Sequence, residues 1–180
     1  MNNIELLSSP WDKSFFDLIG SVDSELLIAS PFIGSYPIKR MAETFEKSHL
    51  SYKVKVNILT NLNVDNLLSG TLDISALRDF VELVPRTVVT YLPSLHAKIY
   101  VVDSKAAVVT SANLTRGGLI ANHEYGILLR DYHVISQIRE DLTKYSVMGN
   151  QVTVDTLRVL AQATQDLKFI RREADKSIGS

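Results

Sequence analysis

The sequence predicts an α/β fold: a mixed central sheet of about seven strands flanked by helices. Three observations carry this. Short β-type runs alternate with helical patterns through the first three-quarters of the 180-residue chain. Residues 87–129 are dense in β-branched side chains, as strands are. From Tyr132 onward the apolar spacing is helical. Parallel strand pairs are expected from the first part and an antiparallel hairpin from the second.

Taken in order, residues 4–7 are a short apolar run and residues 12–19 read as helix. Residues 26–30, LLIAS, read as a strand stopped by Pro31 and Gly34. Pro37 suits the first turn of a helix over 38–47. Val54, Val56 and Ile58 alternate with Lys55 and Asn57, the period of a half-buried strand. Residues 73–83 read as helix with Ile74, Leu77, Phe80 and Val81 on one stripe. Strand-like runs follow at 87–91, 95–102, 106–110 and 124–129. Val134, Ile138, Leu142, Tyr145 and Met148 keep helical spacing, and Leu157, Leu160, Thr164 and Leu167 keep it again, so 132–170 is a helical C-terminal part. The polar tail from Arg171 is expected to fray. With no repeat and no low-complexity segment, one domain over 1–180 is expected.

Composition narrows the function classes. The hydrophobic and charged fractions are ordinary for a chain that packs a core. The net charge of −1 lacks the excess of a dedicated nucleic-acid binder, although a local basic cleft is invisible in a net sum. With no cysteine, disulfides, thiolate nucleophiles and cysteine-ligated metal sites are excluded. The start, MNNIELLSSPWDK, has no basic segment followed by an apolar run, and no stretch approaches the roughly 20 apolar residues that span a bilayer. A cytoplasmic protein without membrane contact is the expectation.

The chemistry is concentrated in residues 95–129. His96 and Lys98 are two apart, which on a strand puts both side chains on one face, with Ala97, Ile99 and Val101 turned to the other, into the core. An imidazole beside an ammonium suits an anionic substrate: one attacks or moves a proton, the other neutralises phosphate oxygens. Ser111 and Asn113 repeat the spacing at the end of the next strand. With a two- or four-residue turn near Asp103 and Ser104 the four side chains share a face, whereas a three-residue turn needs a bulge to restore parity. Glu124, which opens the following strand, is placed to hold His96 in one tautomer.

His96-x-Lys98-x4-Asp103 followed by Ser111-x-Asn113 resembles the HxKxxxxD…GSxN signature of the phospholipase D superfamily, and Glu124 matches a recurrent position of that family. The resemblance covers roughly residues 26–130. It is strongest to members with one motif per chain: small bacterial endonucleases and the catalytic domain of metal-independent restriction endonucleases. Thr110 departs from the pattern, where the family usually has glycine. The resemblance implies a phospholipase D-like fold and a metal-independent hydrolase that needs no cofactor. In it one histidine attacks phosphorus and a second protonates the leaving oxygen, so a chain with one motif works as a two-fold homodimer. His96, Lys98, Ser111, Asn113 and Glu124 are then the catalytic set. Asp103 is a mainly structural member at the turn. Ser30, Arg116 and Asn122 are candidate substrate contacts.

Plainer readings stand beside these. His123 neighbours Glu124 on a strand and so faces away from it, while His49 and His133 need no role beyond the surface. A zinc site from His96, His123 and a carboxylate fails because His123 and Glu124 cannot both point inward. Tyr91, Tyr100 and Tyr125 read as core or rim residues. For the whole chain a nuclease is the leading reading, with nucleic acid as partner and DNA placed ahead of RNA. A phospholipase or phosphatidyl transferase is the alternative, and a non-catalytic dimerisation or nucleic-acid-binding module a second. The polar loops 61–70 and 116–122 argue against a lipid substrate. The near-neutral charge also fits the catalytic part of a longer enzyme that leaves affinity to a separate DNA-recognition domain.

Overall fold

The computed structural model describes residues 3–178. Its strands are β1 Ile4–Ser8, β2 Glu25–Ala29, β3 Lys55–Thr60, β4 Thr87–Tyr91, β5 Ile99–Val102, β6 Ala106–Thr110, β7 Tyr125–Leu129 and β8 Asn150–Val152. They form one eight-stranded sheet in the order β1-β7-β6-β5-β2-β3-β4-β8. β2, β3 and β4 run parallel; the other pairings are antiparallel. The helices are α1 Asp12–Gly20, α2 Ser35–Lys47, α3 Val64–Ser69, α4 Ile74–Leu83, α5 Tyr132–Met148 and α6 Val154–Ile178, with a π-helical turn at Gly117–Ala121. Among the described residues no helix is long and apolar enough to cross a membrane.

Alternation along each strand divides the core in two. Leu26, Ile28, Val56, Tyr100 and Val102 face α1, α2, α4 and α6, meeting Phe15, Met41, Phe45, Phe80 and Leu157. Leu27, Ala29, Leu59, Val101 and Ala107 face the other way, against Ile135 and Leu142 of α5. β2 is buried on both faces, which is why 26–29 is a continuous apolar run rather than an alternating one. α5 crosses the second face diagonally. Midway along it Arg139 donates to the Asp103 carbonyl at 2.7 Å and pairs with Glu25 at the beginning of β2. At its far end Ser146 bonds Thr90 near the end of β4.

The structure departs from the sequence reading in four places. The helical stretch 132–170 is interrupted by β8. Gly149 allows this: a Cβ there would sit 2.5 Å from Thr90 and 2.7 Å from the Tyr91 carbonyl, so only glycine passes so close to β4. α3 lies in what read as a polar loop, capped by the Asn63 side chain and ended by Gly70 at φ +80. α6 runs to Ile178 instead of fraying at Arg171. Leu157, Ala161 and Thr164 anchor its first half, and good helix formers with a Lys176–Glu173 pair carry the rest. Finally, β5 begins at Ile99, four residues later than expected, because residues 93–94 turn.

At one end of the sheet the β5–β6 turn has three residues, since Val102 pairs with Ala106. Asp103 opens it with φ 51, a left-handed conformation that Asp and Asn tolerate. Its carboxylate accepts from the backbone N–H groups of Asp23, Ser24 and Glu25 and from the Ser24 hydroxyl, at 2.8–2.9 Å. Burial pushes this carboxyl up, but the bonds from Asp23, Glu25 and Ser24 outweigh it and hold the group well below the usual carboxylate range. The turn is thereby tied to the first residue of β2.

Asp103→Asn keeps the backbone conformation and loses the charge; Asp103→Ala also strains the turn and strands three N–H groups. Urea unfolding is expected to show a loss of roughly 1–2 kcal/mol for Asn and 2–4 kcal/mol for Ala. A depressed carboxyl contributes stability above the unfolded value of about 3.9, and that contribution is lost as pH falls toward the lower folded value. The gap between wild type and Asp103→Asn should therefore shrink from pH 7 to pH 3; a constant gap would contradict this role.

Candidate active site

His96 and Lys98 lie at the opposite end of the sheet, beside the carboxyl ends of the parallel strands, where open α/β sheets bind ligands. They occupy the extended segment that leads into β5 rather than the strand itself. The ladder reaches them by one bond, from Thr110 N–H to the Lys98 carbonyl at 3.1 Å. Alternation still holds: Lys98 lies on the side of Tyr100 and Val102, while Ala97, Ile99 and Val101 belong to the α5 side. Lys98 is only 8% exposed, and His96 is exposed. The Lys98 ammonium donates to the His96 carbonyl at 2.7 Å and stands 3.3 Å from both Nδ1 and Nε2 of the ring. An ammonium has only donors, so whichever ring nitrogen it bonds does so through a lone pair, the form a nucleophile needs.

The three-residue turn sets Lys98 opposite Thr110, with the parity offset expected for that length. Parity is not restored by a bulge. β6 ends at Thr110 and the chain follows β7, with Ser111 N–H donating to the Tyr125 carbonyl at 3.0 Å. This brings the Ser111 hydroxyl against Glu124, to which it donates, and against Tyr125 N–H, from which it accepts at 3.2 Å. Asn122 Nδ2 donates to the other Glu124 oxygen at 3.1 Å. His96, Lys98, Thr110 and Ser111, with Ala97, Ile99 and Val109, line a cleft of about 320 Å³.

Glu124 does not orient His96 as expected. Its oxygens are taken by Ser111 and Asn122, because residues 111 and 124–125 meet directly along the β6–β7 extension, and the His96 ring is engaged by Lys98 instead. Burial lowers the pKa of Lys98, and the Glu124 charge opposes that fall. Asn113 follows Ser111 by two residues. Its Oδ1 is buried without a partner, a condition that costs about 1–3 kcal/mol. Arg116 is exposed at the start of the π-helical turn, and among the described residues no hydrogen bond or ion pair ties it to the cleft.

Ser30 has no access to substrate. It is fully buried, its hydroxyl donating to the Phe32 carbonyl at 2.7 Å and accepting from Leu114 N–H at 2.9 Å. It stitches the end of β2 to the segment carrying Asn113. Tyr100 supports the same segment, donating to the Ala112 carbonyl at 2.9 Å; burial raises its phenol pKa. Gly118 packs flat on Asn113, where a Cβ would lie 2.2 Å from the Asn113 carbonyl oxygen. Trp11 holds that turn through Nε1 to the Gly118 carbonyl at 3.0 Å, and the Ser9 hydroxyl accepts from Glu124 N–H at 3.1 Å.

This arrangement can be compared with known proteins. The family described as "Cardiolipin synthase, PLD-like domain" matches residues 15–145, more than two-thirds of the chain. The chain belongs to the phospholipase D-like family. Its fold is shared by Nuc of Salmonella typhimurium, a phospholipase D family member (TM-score 0.66, 16% identity, 83% of this chain and 97% of that one). NucT of Helicobacter pylori is similar (TM-score 0.63, 17% identity, 81% and 96%). The phosphatidylserine synthase of Haemophilus influenzae Rd KW20 matches over 97% of this chain but 47% of its own (TM-score 0.70, 19% identity). A search of curated proteins finds no significant match. Family and fold support a hydrolase acting on phosphodiesters.

In this phospholipase D-like chain the sequence reading missed the pair Thr110 and Gly126, which face each other across β6 and β7. Thr110 Oγ1 donates to the Tyr125 carbonyl at 3.0 Å and accepts from Ala112 N–H at 3.2 Å, steering the chain into Ser111 and Asn113. A Cβ on Gly126 would lie 2.6 Å from Thr110 Cβ and 2.8 Å from the Val109 carbonyl oxygen. The departure from the family's usual glycine at 110 is thus accommodated by a glycine across the ladder. A lone glycine within a strand was the available signal. Gly126→Ala is expected to cost about 1–3 kcal/mol in thermal or urea unfolding. Thr110→Gly in the same chain should recover part of it, the contact with Val109 remaining. No recovery would show that Thr110 is not what Gly126 accommodates.

Proposed function

We propose that the protein is a metal-independent nuclease that cleaves nucleic-acid phosphodiesters, DNA ahead of RNA, through a phosphohistidine on His96. The observation that carries the reading is the Lys98 ammonium lodged against the His96 ring in an open cleft beside Ser111. In the first step a ring nitrogen of His96 forms a bond to phosphorus as the P–O bond to the leaving group breaks. The leaving oxygen takes a proton from a second histidine. Water then gives its proton back to that histidine and attacks phosphorus, breaking the P–N bond and freeing His96. Lys98 neutralises the phosphoryl oxygens throughout, Asn113 donates to them through Nδ2, and Ser111 donates once its hydroxyl turns from Glu124. Glu124 positions Ser111 and balances the charge of Lys98. Asn122 acts through Glu124, and Arg116 is an exposed contact for the flanking backbone. The second histidine is His96 of another copy in a two-fold homodimer.

A phosphatidyl substrate is the second reading, favoured by the likeness to the phosphatidylserine synthase over nearly the whole chain. Both are tested by incubating labelled single- and double-stranded DNA and RNA, and phosphatidylcholine and phosphatidylglycerol vesicles, in excess EDTA. The nuclease reading expects a nucleic acid to be cut in EDTA, with His96→Ala at least about 10³-fold slower. Lipid turnover alone would overturn it in favour of the second reading.

Lys98→Met keeps the stem and removes the ammonium. A loss of about 10²–10³-fold in kcat is expected, with KM changed far less, because the charge counts most in the transition state. An equal change in both would contradict that placement.

A further inference from the structure

α6 lies beyond residues 15–145, the stretch shared with the family. It runs antiparallel to α4. Arg158 pairs with Glu82 near the end of α4 at 2.8 Å, and Gln165 donates to the Ser75 hydroxyl near its start at 3.4 Å. That start is at the cleft end of the sheet: Leu72, just before α4, bridges to Ile33, and Ile33 bridges in turn to Leu114, next to Asn113. These two steps set Leu72 about 10 Å from Leu114. From Gln165 α6 continues past the start of α4 to Ile178, about 20 Å further. Residues 169–178 are all exposed. The upper half of α6 thus stands free at the end of the domain where His96 and Lys98 lie.

Its charges are sorted by side. Lys168, Arg172 and Lys176 are spaced by four and form one stripe, with Phe169 beside it. Arg172 follows Gln165 by seven residues, as Gln165 follows Arg158, so the stripe continues the side that lower down meets α4. It therefore points across the start of α4 toward the cleft. The Lys168 ammonium stands over Gly70, where a Cβ would be 3.8 Å from it. Among the described residues Lys168, Arg171 and Arg172 make no ion pair. Asp166 is bonded by Gln162 on the opposite side, and Glu173 pairs with Lys176. Asp175 is the acid left beside the stripe.

We infer that the upper half of α6 is an arm that grips the sugar-phosphate backbone of the nucleic acid whose scissile phosphate lies in the cleft. The inference rests on the nuclease reading above and deepens it. A net charge of −1 gives the chain no general attraction for a polyanion, so affinity has to be local. Lys98 in the cleft neutralises one phosphate and leaves the rest of a long strand unheld. The stripe offers cations about 6 Å apart along the helix, which suits a chain of repeated anions. A duplex strand advances about 3.4 Å per nucleotide, so the arm meets phosphates roughly three to six nucleotides from the one attacked. Leu167, Ile170 and Ile178 lie on the other side of the helix. A bilayer seated there would leave the stripe that faces the cleft unused.

The test is binding of fluorescein-labelled single- and double-stranded DNA, followed by anisotropy in EDTA over a series of salt concentrations. His96→Ala chains are used so that nothing is cut. The same chain with Lys168→Gln, Arg172→Gln and Lys176→Gln together is the comparison, with circular dichroism to confirm folding. Glutamine is a good helix former, so the exposed helix should persist. The triple variant is expected to raise Kd at least about tenfold and to make the slope of log K against log salt shallower by about 2–3. Arg172→Gln alone, with a slope change of about 1, replaces it if the triple variant fails to fold. Asp175→Asn removes the acid beside the stripe and should tighten binding. With His96 intact, the triple variant should raise KM on long DNA, and the rise should vanish on a dinucleotide, which ends short of the arm. An unchanged Kd and salt slope would overturn the inference. So would chains that leave DNA unbound and instead hold phosphatidylglycerol vesicles through α6. The two readings fail separately. DNA bound through the arm and never cut would sink the nuclease alone, and cutting through His96 with the same KM in both chains would sink the arm alone.

Discussion

Register at the centre of the sheet governs everything built on it. β5 lies between β2 and β6, and Asp103 ties the turn at its end to residues 23–25 at the start of β2. A slip of one residue would turn Lys98 from the Tyr100 side to the α5 side and carry His96 with it. The charge that makes the tie strong is far from the chemistry, yet it decides which way the chemistry points. The second tie is at the other end, where Ser30 and Tyr100 fix the segment from Ala112 to Leu114. Between them the two ends of the hairpin have little freedom, so the cleft is preorganised by buried bonds rather than by its own exposed residues.

Much of this was legible in the sequence because period and spacing are local. The alternation of 54–58, the stripe of 73–83 and the two-residue spacing of His96 with Lys98 and of Ser111 with Asn113 gave the layers and the polar end of the hairpin. The features that escaped are those set by distant chain. β8 exists because Gly149 can pass close to β4, a contact between residues 59 positions apart for Thr90. Ser30 reads as a strand-end hydroxyl near the site, but its two partners, Phe32 and Leu114, bury it. The partner of Glu124 depended on turn length: three residues rather than two or four sent Ser111 along β7 and into contact with the carboxylate. Parity defines the options and cannot choose among them.

The site combines two requirements that pull against each other. An ammonium is stabilised in water, yet Lys98 is withdrawn from it to meet an imidazole at short range. Glu124 offsets that cost at a distance without neutralising the ammonium by direct contact, because Ser111 and Asn122 occupy its oxygens. The buried Oδ1 of Asn113, left without a donor, is of the same kind, a cost carried at the site rather than in the core.

The central claim is the covalent bond between His96 and phosphorus. Its most direct test is to quench the reaction on short oligonucleotides in EDTA and to weigh the peptide that contains His96. The account predicts a phosphoryl-nucleotide adduct on that histidine, stable in base and lost in acid, and none in His96→Ala. Steady cleavage with no adduct at any quench time, or cleavage that persists in His96→Ala, would contradict it.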